Sequence, residues 1–555
     1  MGDASRNAAI WYAEDGFDPV AKGINGRRVA GQSFLNGFLR HGDVDEFVML
    51  AQSEKAMPPL RDLAARLRPA VPLRFVQLIR PMGMAPVSTV YYPSPNYAVE
   101  TWRRAPHGNA AWAICGLTHT ISTTGVMQGM FDLRMAPVQP WDAVICTSNA
   151  VQASVRYQND LIDAHIAAHF GSKPPPRPMF PVIPLGVHCA DFAHDAAAGA
   201  GLRARLGAGP QDVVFTTIAR LTPYEKFDPL PIYLALQAAQ RQLPGQKLHV
   251  VFCGQFRDAY SRKVFTEGAA RLMPDVGFLL LDGAKAEDRR AALSGADVFL
   301  FLIDNIQETF GLAPLEAMAA GLPLLVSDWD GMKDTVTPDV GFRVTSRTLG
   351  PEALATEALR YQGGSDSYPQ YCAATSALTE LDMPEMVARI LQLARNPDLR
   401  RRMGAAGRAR ANALYDWRQV IPQMQDLWAE QDAMRRAGAA GAGRYARHAL
   451  PVAPSPTAYF ATYPSAQVDF GGERFVLADM TGRPSLIAVL KTRNYEGMQR
   501  MFEAPSRIAA VLMAVAKAGP AGADLGGIAQ AATMQPAQVA RVVIWLLKYG
   551  FILRG

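Results

Sequence analysis

Ten short apolar runs, alternating with segments of helical period along the first 400 residues, constrain this chain more than any other feature. Five of them fall at residues 46–50, 73–78, 113–118, 143–147 and 181–185, the last leading into Gly186. Five more fall at 212–219, 247–253, 277–281, 297–303 and 322–327. Strands apolar throughout and separated by helices are buried on both faces, which is the pattern of parallel α/β sheets rather than of sandwiches or bundles. Two such sets predict two doubly wound domains in succession. Helical segments at 383–396 and 416–436 close the second set, with Trp417 and Trp428 as anchors.

A chain of 555 residues exceeds one ordinary core and points to three or four domains. With 49 % hydrophobic and 19 % charged residues, the composition is that of a globular protein. The 56 Lys plus Arg against 50 Asp plus Glu leave a net charge of +6, without a block of like charge. A nucleic-acid-binding tail and a polybasic membrane anchor are therefore disfavoured, and any phosphate must be bound by a local site. The five cysteines, at 115, 146, 189, 253 and 372, never approach metal-binding spacing and are expected as buried reduced thiols. Residues 1–7 lack a secretory signature, and no apolar run reaches the roughly 18 residues of a membrane span. The expected location is cytoplasmic, with peripheral contact at the inner membrane face left open.

The Gly- and Ala-rich stretch 437–456 is expected as a linker. Beyond it, residues 457–555 offer helices at 506–518, 525–532 and 536–549 and a strand at 551–553, a pattern expected for a small winged-helix-like α+β module. Its last helix carries only Arg541 and Lys548 as cations from residue 539 to 548, too few for a nucleic-acid recognition helix. Docking onto the chain's own larger domains or onto a protein partner is expected of the module instead.

Chemistry concentrates at residues 304–321, DNIQETFGLAPLEAMAAG. The chain leaves a buried strand, turns at Gly311 and enters a helix that tolerates Pro314 in its first turn. First-turn N–H groups lack intrahelical acceptors, and with the helix dipole they suit a phosphate without a metal. Glu308 and Glu316 flank the turn; as anions they suit hydroxyl groups rather than phosphate. A nucleotide sugar, with phosphates between two polyols, satisfies both requirements.

This stretch, ETFGLAPLEAMAAGLP from Glu308, resembles the Glu-x7-Glu element of the retaining family-4 glycosyltransferases (glycosyl transferases group 1) of GT-B fold. The resemblance extends over about residues 8–436. It implies an acceptor-binding Rossmann-like domain at 1–190 and a nucleotide-sugar-binding one at 191–436, facing each other across a cleft. It further implies that Glu308 holds donor-sugar hydroxyls and Glu316 the ribose, with Phe310, Gly311 and Leu312 lining the donor. ARLTPYEKF, from Ala219, is similar to the family's Gly-Arg-Leu…Lys-Gly element, so Arg220 and Lys226 are the expected diphosphate cations; Ala219 and Phe227 replace its glycines. His119, after the apolar run at 113–118, matches the family's sugar-contacting histidine. Gly26 is the candidate of the family's glycine loop, although Gly23 and Gly26 are separated rather than paired.

The implied activity is transfer of a sugar from a nucleotide-diphosphate donor to a glycan, lipid or small-molecule acceptor. It would proceed with retention by a front-face reaction, needing neither metal, nor cofactor, nor enzymic nucleophile. A GT-B-like epimerase or phosphorylase, and a non-catalytic nucleotide-sugar-sensing scaffold acting through its tail, are the alternatives. Asp328 and Asp330 form an Asp-x-Asp, but after a complete Glu-x7-Glu element they are expected in a structural or donor-side loop; Asp43 and Asp45 lack a ligand cluster. His165 and His169, spaced i and i+4, lack a third ligand and are expected at the surface.

Overall fold

The computed structural model describes residues 5–17, 26–493 and 503–555, which form two compact units divided between Val452 and Ala453. The larger contains both expected sheets. The first has strands β1 (Ala9–Trp11), β2 (Phe47–Ala51), β3 (Leu73–Gln77), β4 (Thr89–Tyr92), β5 (Ala113–Leu117) and β6 (Ala143–Ile145), ordered β3-β2-β1-β4-β5-β6 and parallel throughout. The second has β7 (Val213–Ile218), β8 (Leu248–Gly254), β9 (Gly277–Asp282), β10 (Val298–Phe301), β11 (Leu324–Ser327) and β12 (Gly341–Val344), ordered β12-β11-β10-β7-β8-β9, again parallel. Both are Rossmann-like doubly wound sheets, each reversing direction beside its first strand. The crevice at such a reversal, beyond the strands' carboxyl ends, is where open α/β sheets bind ligands.

Most of the apolar runs became strands because both faces are covered, β2, β6, β10 and β11 being buried at every residue, while β3 and β9 at sheet edges are mostly half-buried. The run expected at 181–185 instead lies alongside β6, joined by single bridges such as Cys146 to Val182. Strands β1, β4 and β12 had no counterpart among the expected runs. All five cysteines are buried. Burial pushes the Cys115, Cys146, Cys189 and Cys253 thiols up to about 12.

Helix Trp417–Gly438, grouped with the second sheet in the sequence, packs on the first. Gln431 Nε2 donates to the carbonyls of Ile114 (3.0 Å) and Trp141 (2.8 Å), and Trp417 Nε1 donates to Ser33 Oγ (2.8 Å). Trp428 meets Phe38 and Tyr91 edge-on. The Gly- and Ala-rich segment that follows is anchored too: Asn109 N–H donates to Gly443 (3.0 Å) and Tyr445 N–H to Ala105 (3.1 Å).

The smaller unit, Ala453–Gly555, packs helices Pro505–Lys517, Leu525–Ala532 and Pro536–Lys548 around Phe475, Ile508, Val543 and Ile552. The single expected strand is one of three, Arg474–Leu477 lying antiparallel to both Ala523–Asp524 and Ile552–Arg554. Among the described residues no helix is long and apolar enough to cross a membrane.

Candidate functional site

The second sheet reverses between β7 and β10, so the loops after these two strands meet at its crevice. The loop after β7 carries Arg220 and Lys226; that after β10 carries Glu308. Lys226 Nζ, over the Phe301 ring at 5.0 Å, donates to Glu308 Oε2. The pair is largely enclosed, with side-chain exposures of 18 % and 11 %. Glu308 Oε1 accepts from the backbone N–H of Gly311 (3.0 Å) and Phe310 (3.5 Å). Burial pushes the Glu308 carboxyl up, but the Lys226 charge and these donors outweigh it and hold the group below its ordinary range.

Gly311 has φ +84°, a left-handed conformation that favours glycine, and caps helix Leu312–Ala320. Glu308 therefore occupies two amides at the turn, while the first-turn N–H groups of Leu312 and Ala313 lack intrahelical acceptors. The Phe310 side chain is only 3 % exposed and lies in the core, so it anchors the turn and leaves backbone for a ligand. Glu316, on the same helix, is pushed up to about 7 by burial, opposed by the Arg289 charge.

Arg220 Nη2 donates to Gln307 Oε1, and its Nη1 lies 3.6 Å from Glu225. The replaced glycines have local reasons. Phe227 packs between Phe252 and Phe265, and the close backbone approach beside Ala219 falls on Gly254, where an added Cβ would lie 1.9 Å from the Ala219 carbonyl.

His119 follows β5 in a loop that meets the β10 loop: Thr120 Oγ1 donates to the Gln307 carbonyl (3.4 Å), and Thr147 Oγ1, after β6, to that of Thr309 (3.3 Å). The fold thus brings Lys226, Glu308 and the Phe310–Gly311 turn into direct contact, sets Arg220 on the neighbouring Gln307, and lays the loop that carries His119 against the same β10 loop; Leu312 and Glu316 follow on the helix that the turn opens. Gly26 opens helix Gly26–His41; Gly23 lies outside the described residues.

Sequence reasoning passed over Gln307 and Ser148. Of the Asp-x-Asp pair, Asp328 faces Arg343 (3.2 Å) while Asp330, at φ +41°, accepts from Ser148 Oγ (2.8 Å) across the cleft. Burial pushes Asp330 up to about 7; the Gly331 N–H and Ser148 oppose this, and the Glu308 and Asp334 charges add to it. Ser148 was findable as the N-cap of helix Asn149–Phe170. The cross-cleft role of Asp330 had no local signal. His165 and His169 are exposed on that helix, their rings stacked at 5.4 Å.

Two facing doubly wound sheets with this loop pair at the crevice define a GT-B fold. Residues 202–360, which include β7 to β12, match the family described as glycosyl transferases group 1. A Mycobacterium tuberculosis protein named GDP-mannose-dependent alpha-(1-6)-phosphatidylinositol monomannoside mannosyltransferase is 25% identical over 281 residues, 50% of this chain and 62% of that protein. Its namesake from Mycolicibacterium smegmatis is 28% identical over 181 residues, 32% of this chain and 45% of that protein. The chain thus spans less than two thirds of the curated relatives it matches. Similar solved structures include Anabaena HepE with UDP (15% identity, 77% of this chain and 100% of that one, TM-score 0.48). Another is sucrose-phosphate synthase from Thermosynechococcus elongatus (17% identity, 77% and 99%, TM-score 0.46).

Proposed function

We propose that this protein transfers a sugar from a nucleotide-diphosphate donor to a hydroxyl acceptor, with retention and without a metal. The observation that carries the reading is the convergence of Lys226, Glu308 and the N-terminus of helix Leu312–Ala320 at the sheet reversal, against the His119 loop of the other sheet. The names of the M. tuberculosis and M. smegmatis relatives make GDP-mannose the first donor to test.

Lys226 and Arg220 hold the diphosphate with the first-turn amides. When donor binds, Lys226 exchanges its Glu308 partner for phosphate, freeing Glu308 for sugar hydroxyls, and Glu316 takes the ribose. The bond from the anomeric carbon to the phosphate oxygen breaks and its electron pair leaves with the diphosphate, whose growing charge the cations stabilise. The acceptor oxygen attacks the same face, and its proton passes to the departing phosphate oxygen. His119 contacts the sugar, and the acceptor, a glycan, lipid or small molecule, is chosen by loops of the first sheet. A protein partner for the C-terminal unit belongs to the same proposal.

The test is a screen of GDP-, UDP- and ADP-sugars with EDTA present, recording thermal shift and donor hydrolysis for wild type and Glu316→Ala. Stabilisation by one nucleotide class that the variant loses supports the donor site. Absence of any shift points to a scaffold, while loss of activity in EDTA refutes the metal-free mechanism.

A further inference from the structure

Between the antiparallel strands Ser346–Thr348 and Thr379–Leu381 the chain makes an excursion, residues 349–378, that leaves and returns through this two-stranded ribbon. It folds into helices Ala355–Gln362 and Tyr368–Ala377, tied across their turn by Arg360 and Asp366 (2.7 Å). Its tyrosines reach the opposite sheet. Tyr361 Oη accepts the N–H of Thr124, the first residue of the helix after the His119 loop (3.1 Å). Tyr368 Oη shares a hydrogen bond with Ser122 Oγ in that loop (2.9 Å) and touches Gln307 of the β10 loop. Tyr361 is 8 % exposed and stacks on Tyr371 at 4.7 Å, so its hydroxyl is held in place by packing.

We propose that the excursion is a clamp, with Tyr361 and Tyr368 as positioning residues that hold the His119 loop against the β10 loop, a role that rests on the glycosyl-transfer reading above. Both loops carry groups that must meet the same donor sugar, and apart from the long Thr120–Gln307 hydrogen bond (3.4 Å) each hangs from the end of a different sheet. Two rigid hydroxyls from a third element fix their separation, and displacement of a reacting group by about 1 Å can cost up to about 100-fold in rate.

The experiment uses the full chain with Tyr361→Phe, Tyr368→Phe and the double variant, each keeping its ring packing. Hydrogen exchange is followed in peptides covering residues 118–126, and hydrolysis of GDP-mannose and UDP-glucose is measured kinetically. Loss of a hydrogen bond worth about 1 kcal/mol speeds exchange there about fivefold. The double variant is expected to lose about tenfold in kcat with KM within about twofold, the split that loss of positioning rather than of binding gives. Leu359→Ala, on the same excursion but 74 % exposed, is expected to change neither. Unchanged exchange in the double variant, or faster exchange with kcat intact, overturns the clamp. Hydrolysis of neither donor by wild type counts against the transfer reading instead; exchange then decides the clamp alone, and unchanged protection refutes it.

Discussion

Replacing Lys226 with Met tests whether the Glu308 charge depends on its partner. In the wild type Glu308 is held below its ordinary value of 4.5, despite burial, by the Lys226 charge and two backbone donors. Glu316, on the adjoining helix, lacks such a contact and is pushed from 4.5 up to about 7. That displacement is worth roughly 3 kcal/mol at 1.36 kcal/mol per pKa unit, and it calibrates a carboxylate buried here without a paired cation. Because the Gly311 and Phe310 N–H groups stay with Glu308, the expected loss in Lys226→Met is smaller, about 2 kcal/mol at neutral pH. The sign with pH follows. A depressed carboxylate stabilises the fold above 4.5 and loses that contribution as pH falls through its folded value; a raised one costs nothing below 4.5 and progressively more toward 7. The gap between wild type and variant should therefore open between about pH 5 and pH 8. Melting temperatures at those two pH values read it as a shift of a few degrees, and adding Glu308→Gln should recover most of the loss at the higher pH. Equal destabilisation at both pH values, or a double variant no better than Lys226→Met, would refute the reasoning.

Glu316→Gln should raise the melting temperature at about pH 8 and leave it unchanged near pH 5, because only the ionised carboxyl is penalised by burial. Asp142, with Arg104 fully buried beside it at 2.6 Å, also accepts from the N–H groups of Ile114 (2.9 Å) and Gln139 (2.8 Å). Asp142→Ala strands the guanidinium and should cost about 3–5 kcal/mol, measured by chemical denaturation. A Cβ at Gly186 would lie 2.5 Å from the Trp417 ring. Gly186→Ala should cost about 1–3 kcal/mol from overpacking, seen as a lower melting temperature with the nucleotide site intact.

Local pattern carried much of the fold. Nine of the ten apolar runs became strands; for those inside the sheets burial on both faces demands continuous apolar sequence, and that demand is visible in a few residues, while β3 and β9 sit half-buried at the edges. Strands β1 and β4 were passed over although β1 is as long as β6, and β4 as β10 and β11; their place in the sheet is set by pairing with each other and with β2 and β5. The Glu308 to Glu316 element was equally legible, since strand, glycine turn and proline-bearing helix follow one another along the chain.

What the sequence by itself determined is therefore the alternation that makes two parallel sheets and the chemistry of one strand-turn-helix. What the tertiary structure decided is which distant groups share that chemistry. Lys226 and Glu308 are 82 residues apart and meet because β7 and β10 are neighbours. Helix Trp417–Gly438 returns to the first sheet because its buried glutamine and tryptophans find their partners there. Tyr361 reaches Thr124 across 237 positions of chain. Periodicity reports a residue's burial, while its partner is set by strand order and chain return, which act over distances no local pattern encodes.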